Sequence, residues 1–345
     1  MMNKKCISSL ILSFLLITCA ATAFAMDINN IVIPEYTVAE YTVPFETTLT
    51  GIDALKQPCD EQGSIVSLSY TTPAYAINEF LEMDETIERT VQVYLPYGYD
   101  ESQQYDILYL LHGTGGTDTY WFYDGEPETT RNVLDNMIAQ GLCKPLIVVT
   151  PAYVADIRGN KTRIKDEVVI AYGEETNDPY LLSRNDLWTQ YFQYELVGNI
   201  IPLIETTYST YASGDVSEES LIASREHRAF AGLSRGSMTT MRSGMVANLD
   251  KFAWFGNFSG IWLDIEKLEA ALADSTYDIK YWYNGTGTDD FAAENHLLFH
   301  NEAVARLSDH ITDGENYCMI VKDGGAHDFP SWIVDLYNSL LVFFH

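Results

Sequence analysis

The residues best placed to do chemistry lie in Ala231-Gly232-Leu233-Ser234-Arg235-Gly236. Read as G-x-S-x-G, this is a sharp turn from a strand into a helix that lifts the Ser234 hydroxyl out of the backbone for nucleophilic attack. Side chains at 232 and 236 would collide with the neighbouring strand and helix in so tight a turn. The flanks fit: residues 228–231 read as a short buried strand and residues 237–246 as the helix that follows.

A serine hydroxyl is a weak nucleophile until a base takes its proton. Among seven histidines, His327 stands out. It ends the loop Asp323-Gly324-Gly325-Ala326-His327 after a predicted strand, and is the last histidine before the closing helix, as the chain order serine, acid, histidine requires. An acid that fixes the imidazole tautomer and stabilises the imidazolium should follow the preceding strand. Gly285-Thr286-Gly287-Thr288-Asp289-Asp290 offers Asp289 and Asp290 there, and spacing does not choose between them. The oxyanion of the tetrahedral intermediate needs two backbone donors. One is the amide of Arg235; the other is assigned to Thr114, with Gly115 as the alternative, in the loop His112-Gly113-Thr114-Gly115-Gly116. His112 itself is read as bracing that loop.

Two features compete for attention. His296 and His300 have the i, i+4 spacing of paired metal ligands, but no glutamate follows His296 and no third ligand is evident, so a packed or exposed helix face is expected and no metal site. Tyr120, Trp121, Trp188, Tyr191 and Trp262 lie near strand ends or in long loops. Core packing is the default for each; Trp121 and Trp262 are retained as substrate-pocket candidates.

The elements that must position these groups alternate. Strands are expected at 90–95, 107–111, 146–149, 228–231, 279–283 and 317–321. Helical patterns cover 132–140, 187–208, 237–246, 292–310 and 331–344. Such alternation implies an α/β fold with a mainly parallel sheet and helices on both faces. Ligands in such sheets collect at the carboxyl ends of the strands, where every motif above falls.

Lys4 and Lys5, an apolar stretch over 7–19 and Ala23-Phe24-Ala25 describe a signal peptide over 1–25, cleaved after Ala25, and hence a secreted protein. A lipid anchor at Cys19 is the lesser alternative, because Thr18 fits that site poorly. Residues 26–62 read as an extended N-terminal arm and 63–345 as the single catalytic domain. With 49 acidic against 20 basic residues and a net charge of −29, binding to nucleic acid or anionic membranes through the general field is excluded. No stretch after the leader is long enough for membrane insertion. Cys59, Cys143 and Cys318 have neither disulfide-framework nor zinc spacing; one bridge and three free thiols are both compatible with them.

Taken together, these residues resemble the feruloyl and acetylxylan esterases of carbohydrate esterase family one, relatives of esterase D in the α/β-hydrolase fold. The matching landmarks are Val93-Tyr94-Leu95-Pro96-Tyr97-Gly98-Tyr99, Leu108-Tyr109-Leu110-Leu111-His112-Gly113, Gly232-Leu233-Ser234-Arg235-Gly236, Phe258-Ser259-Gly260, Gly287-Thr288-Asp289-Asp290 and Gly324-Gly325-Ala326-His327-Asp328. The resemblance implies Ser234 as nucleophile, His327 as base and Asp290, rather than Asp289, as acid. It implies a cofactor-free serine esterase acting on feruloyl or acetyl esters of plant cell-wall xylan. A general or siderophore-type esterase, or a non-catalytic carbohydrate-binding relative, are the rival readings. Arg235 and Ser237 depart from the methionine and glycine common in the family, and the polar segment 153–185 is expected to border the cleft.

Overall fold

The computed structural model describes residues 41–153, 187–261 and 265–345. Trp262, the leader and nearly all of the polar segment 153–185 therefore lie outside the described residues. Eight strands form one sheet: β1 (Ser64–Pro73), β2 (Thr86–Leu95), β3 (Asp106–Leu111), β4 (Leu146–Pro151), β5 (Arg228–Leu233), β6 (Trp254–Phe258), β7 (Tyr281–Gly287) and β8 (Tyr317–Lys322). Their order is β1-β2-β4-β3-β5-β6-β7-β8. The pairs β1–β2 and β2–β4 are antiparallel, and every other pair is parallel.

β3 and β4 are apolar over 107–111 and 146–149 because both faces are covered. In β3, Ile107, Tyr109 and Leu111 enter one core while Leu108 and Leu110 enter the other. The first core is closed by the helices Leu187–Glu195, Ile201–Thr207, Ile265–Asp274 and Ala293–Arg306, through residues such as Phe192, Ile204, Leu268 and Phe299. The second is closed by Thr129–Ala139 and Phe329–Leu340, through Val133, Met137, Ile333 and Leu336. This is the three-layer arrangement, a mainly parallel sheet with helices on both faces, that the alternation implied.

Two details differ from expectation. The helical pattern over 187–208 is two helices joined by a π turn, Leu196–Ile200, with Pro202 in the opening turn of the second. The helix after Ser234 likewise runs only from Arg235 to Thr239 before a π turn over Thr240–Val246.

Residues 41–62 are irregular but fastened down. The Tyr41 hydroxyl donates to Asp313 at 2.9 Å, the Asp323 amide donates to the Thr47 carbonyl at 2.8 Å, and Glu46 and Asn338 exchange two hydrogen bonds of 2.8 Å. Ile52 and Leu55 are buried in the second core. Cys59, Cys143 and Cys318 are free, and burial pushes the Cys143 thiol up to about 12.

Candidate active site

The turn after β5 has the backbone that the G-x-S-x-G pattern requires. Ser234 sits at φ 52° and ψ −116°, a strained conformation for a residue with a side chain. Its amide donates to the Phe258 carbonyl at 2.7 Å, and its own carbonyl accepts from the Ser237 amide at 3.1 Å. The flanking glycines are dictated by space. A Cβ on Gly232 would fall 2.6 Å from the Gly236 carbonyl carbon, and one on Gly236 would fall 2.4 Å from the His112 carbonyl oxygen.

The acid and histidine loops interlock at the ends of β7 and β8. A Cβ on Gly287 would lie 2.0 Å from the Gly325 carbonyl oxygen, so only glycine permits this approach. The Asp289 amide donates to Gly325 O at 2.9 Å, and the Gly324 amide to the Thr288 hydroxyl at 2.9 Å. Gly324 takes φ 67°, which lets the chain fold back over the sheet. Asp328 then caps the closing helix by accepting from Ser331.

These loops bring three of the predicted residues into line. His327 Nε2 lies 3.0 Å from Ser234 Oγ, and His327 Nδ1 lies 2.9 Å from Asp290 Oδ1. Asp290 is fully buried, whereas Asp289 is exposed and accepts from Thr288. Burial alone would raise the Asp290 pKa. The hydrogen bond and charge of His327 outweigh it, aided by the Ser259 hydroxyl and the Ala292 amide, and hold the carboxyl below its usual range.

Thr114 lines the cleft beside Ser234. The Gly116 amide donates to Gly113 O at 3.3 Å and Gly115 takes φ 78°, so residues 113–116 form a tight turn with glycine where φ must be positive. His112 is buried beneath it, with Nδ1 2.6 Å from the Gly113 carbonyl oxygen and its ring stacked 4.7 Å from Tyr153. Burial pushes its pKa down to about 4, so a neutral ring braces the loop.

The cleft encloses about 250 Å³ and is lined by Gly113, Thr114, Tyr120, Leu233, Ser234, Phe291, His327 and Trp332. Phe291 lies 4.1 Å from the His327 ring, centroid to centroid, and Trp332 meets that ring edge-on at 5.1 Å. Trp121 is a correction. Its indole is buried, donates to Leu111 O at 3.1 Å and packs against Phe258 and Phe329, so it belongs to the core. Its neighbour Tyr120 is the ring that reaches the cleft. Phe291 and Trp332 were missed because one follows the acid directly and the other sits inside an apolar helix. The doubled aspartate followed by phenylalanine was the available signal.

His296 and His300 are both buried and do not converge on a shared ligand set. Among the described residues no group of three acidic, histidine or cysteine side chains could hold a metal. His296 Nε2 accepts from the Gly260 amide at 2.5 Å, and burial pushes its pKa down to about 3. His300 meets the Tyr317 hydroxyl at 3.2 Å. Behind the acid loop, Lys322 Nζ donates to Asp335 at 2.5 Å and to the Thr286 carbonyl at 2.8 Å. Burial raises Asp335 to about 6, against the pull of Lys322.

The sheet order, the strained turn after β5 and the interlocked loops after β7 and β8 define an α/β-hydrolase. The family model Esterase matches residues 86–343, and the chain belongs to that esterase family. It is 31% identical over 309 residues to endo-1,4-beta-xylanase Y of Acetivibrio thermocellus, a match covering 85% of this chain and 24% of that protein. It is 29% identical over 249 residues to an endo-1,4-beta-xylanase/feruloyl esterase of Xylanibacter ruminicola, covering 71% of this chain and 28% of that protein. The chain thus spans about a quarter of the length of these curated relatives.

Among solved structures, the feruloyl esterase module from Clostridium thermocellum, a serine-to-alanine variant complexed with sinapinate, matches with a TM-score of 0.66 at 26% identity. That match covers 90% of this chain and 96% of the module. A ferulic acid esterase from Anaeromyces mucronatus shares the fold, with a TM-score of 0.63 at 19% identity over 87% of this chain and 98% of that one. The fold is that of a feruloyl-esterase-like hydrolase. Among the described residues no helix is long and apolar enough to cross a membrane.

Proposed function

We propose that this chain is a secreted serine esterase that removes feruloyl groups, or acetyl groups, from plant xylan through an acyl-enzyme. The observation that carries the reading is the line Ser234–His327–Asp290, with spacings of 3.0 and 2.9 Å, opening into an aromatic cleft. Ser234 Oγ attacks the ester carbonyl carbon as its proton passes to His327 Nε2. The carbonyl electron pair moves onto oxygen, which the amides of Arg235 and Thr114 stabilise. Collapse expels the alcohol, which takes the proton from His327, and leaves acyl-Ser234. Water, deprotonated by His327, then attacks the acyl carbon, and the second collapse frees the acid and the serine.

Asp290 keeps the proton on Nδ1 and offsets the imidazolium charge. No cofactor takes part in this scheme. The three rings Tyr120, Phe291 and Trp332 favour a planar aromatic acyl group over acetyl, since aromatic faces gain from offset or edge-on partners. The names of the relatives support the same substrate class. Export rests on the leader read in residues 1–25.

The test pairs methyl ferulate with 4-nitrophenyl acetate, assayed with the mature protein and its Ser234→Ala variant. Serine-dependent release of ferulate supports both the mechanism and the aromatic pocket. Acetate turnover alone keeps the mechanism and moves the substrate to acetylated xylan. Turnover that survives in Ser234→Ala overturns the assignment.

A further inference from the structure

We propose that Ser259 is a positioning residue for the triad acid, its hydroxyl donating to the second carboxylate oxygen of Asp290. This rests on the triad reading above. Asp290 Oδ1 is engaged by His327 Nδ1 at 2.9 Å and by the Ala292 amide at 2.8 Å. Oδ2 is buried, and so is Ser259 Oγ, and neither has a hydrogen-bond partner at the observed geometry among the described residues. Ser259 is among the groups that favour the charged form of the Asp290 carboxyl, and a turn of its hydroxyl would give Oδ2 a donor. A buried carboxylate oxygen with no donor is costly, and a serine that can turn its hydroxyl to it removes that cost.

The backbone at this position argues the same way. Ser259 is held at φ 51°, a conformation that glycine takes without strain and serine does not. Glycine would relieve the backbone but would supply no hydroxyl. The backbone of the residue is also locked from both sides. Its amide donates to Gly285 O at 2.8 Å, and the preceding carbonyl, of Phe258, takes the Ser234 amide. The following amide, of Gly260, donates to His296 Nε2. The Ser237 hydroxyl donates to the Gly260 carbonyl. Phe258-Ser259-Gly260 therefore ties the turn that carries Ser234 to β7, the strand that leads to Asp290.

The charged and titratable groups around Asp290 are His327, His296 on the helix Ala293–Arg306, and the Lys322–Asp335 pair behind the loop. Of these only His327 binds the carboxylate directly. Removing the hydroxyl concentrates negative charge on the oxygens facing His327, so the imidazolium is held more tightly. The acidic limb of the kcat/KM profile, which reports loss of that proton, then moves to higher pH.

The experiment compares Ser259→Ala and Ser259→Gly with the wild type on 4-nitrophenyl acetate across pH, with Ser234→Ala as the inactive reference. Both variants are expected to lose kcat about tenfold, the effect of one hydrogen bond to a charged group, with KM unchanged and the acidic limb displaced upward. Ser259→Gly relieves the strained φ, so its loss cannot be assigned to the backbone. Wild-type kcat and an unmoved limb overturn the proposal, as does a loss of kcat with the limb unmoved. An active Ser234→Ala would instead sink the triad reading itself.

Discussion

Gly260 lies so close to Ser234 that a Cβ on the glycine would sit 2.2 Å from the serine carbonyl oxygen. The clash is with backbone, which cannot swing aside as a side-chain end can. Gly260→Ala is therefore expected to displace the turn that carries Ser234. We expect kcat/KM to fall by at least about a hundredfold and stability by more than about 2 kcal/mol. Denaturant unfolding and ester assays check the two effects separately.

The two aspartates of the acid loop give opposite expectations. Asp290→Asn leaves the geometry but reverses the partner presented to His327 Nδ1, and should reduce kcat by about 10⁴. Asp289→Asn, at an exposed site bonded only to Thr288 and the histidine loop, should leave kcat within about twofold. Equal losses in the two variants would contradict the assignment of Asp290.

Phe291 is 47% exposed yet lies against the His327 ring, so it is available to a substrate ring. Phe291→Ala should lower kcat/KM for methyl ferulate by about two- to tenfold, the worth of one aromatic pair. The loss should be smaller for an aliphatic ester such as ethyl acetate. Equal losses on both would place Phe291 in support of His327 rather than in recognition.

Stability should decline with acidity. His112 and His296 stay neutral in the fold down to about pH 4 and about pH 3, against an ordinary value of 6.5. Below pH 6.5 the unfolded chain takes up these protons and the folded chain does not, so protonation favours unfolding. Their contribution is complete above pH 6.5 and is lost progressively below it. Asp290, held low, adds a loss in the same direction at more acidic pH, while Asp335, held near 6, opposes it in part. Thermal melts between about pH 8 and about pH 4.5 should show the fall, with a shallower slope in His296→Gln.

Lys322 and Asp335 are both fully buried. Lys322→Met strands a carboxyl in the core and should cost about 3–5 kcal/mol, whereas the double variant Lys322→Met/Asp335→Leu should recover much of that. A double variant no more stable than the single one would mean that the pair is held by its Tyr283 and Thr286 bonds more than by its charges.

The central strands and the loops that bring Ser234, His327 and Asp290 together were legible because the physics behind them is local. A strand covered on both faces is apolar without interruption, as in β3 and β4, and the glycines beside Ser234, Asp290 and His327 mark close backbone approaches. Two strands escaped. β1 mixes exposed, half-buried and buried residues at the sheet edge, so no strand was expected there. β6 contains Gly256 and Asn257, which suggest a loop until the Trp282 indole and Ser237 are seen to satisfy the asparagine. Ring direction was the least legible property. Trp121 and Tyr120 are adjacent in the short turn Tyr120–Asp124, and only the packing of Phe258 and Phe329 decides which of them is interior.

The bonds from Tyr41, Glu46 and Thr47 bear on how this catalytic unit can be moved between enzymes. In its curated relatives the matching region is about a quarter of a longer chain, which invites transplantation as a module. A cut at residue 63, where the regular sheet begins, would remove the partners of Asp313, Asp323 and Asn338. It would thereby loosen the strand and helix that flank His327. A graft that begins ahead of Tyr41 carries its own fastening and should keep its activity in a foreign host protein.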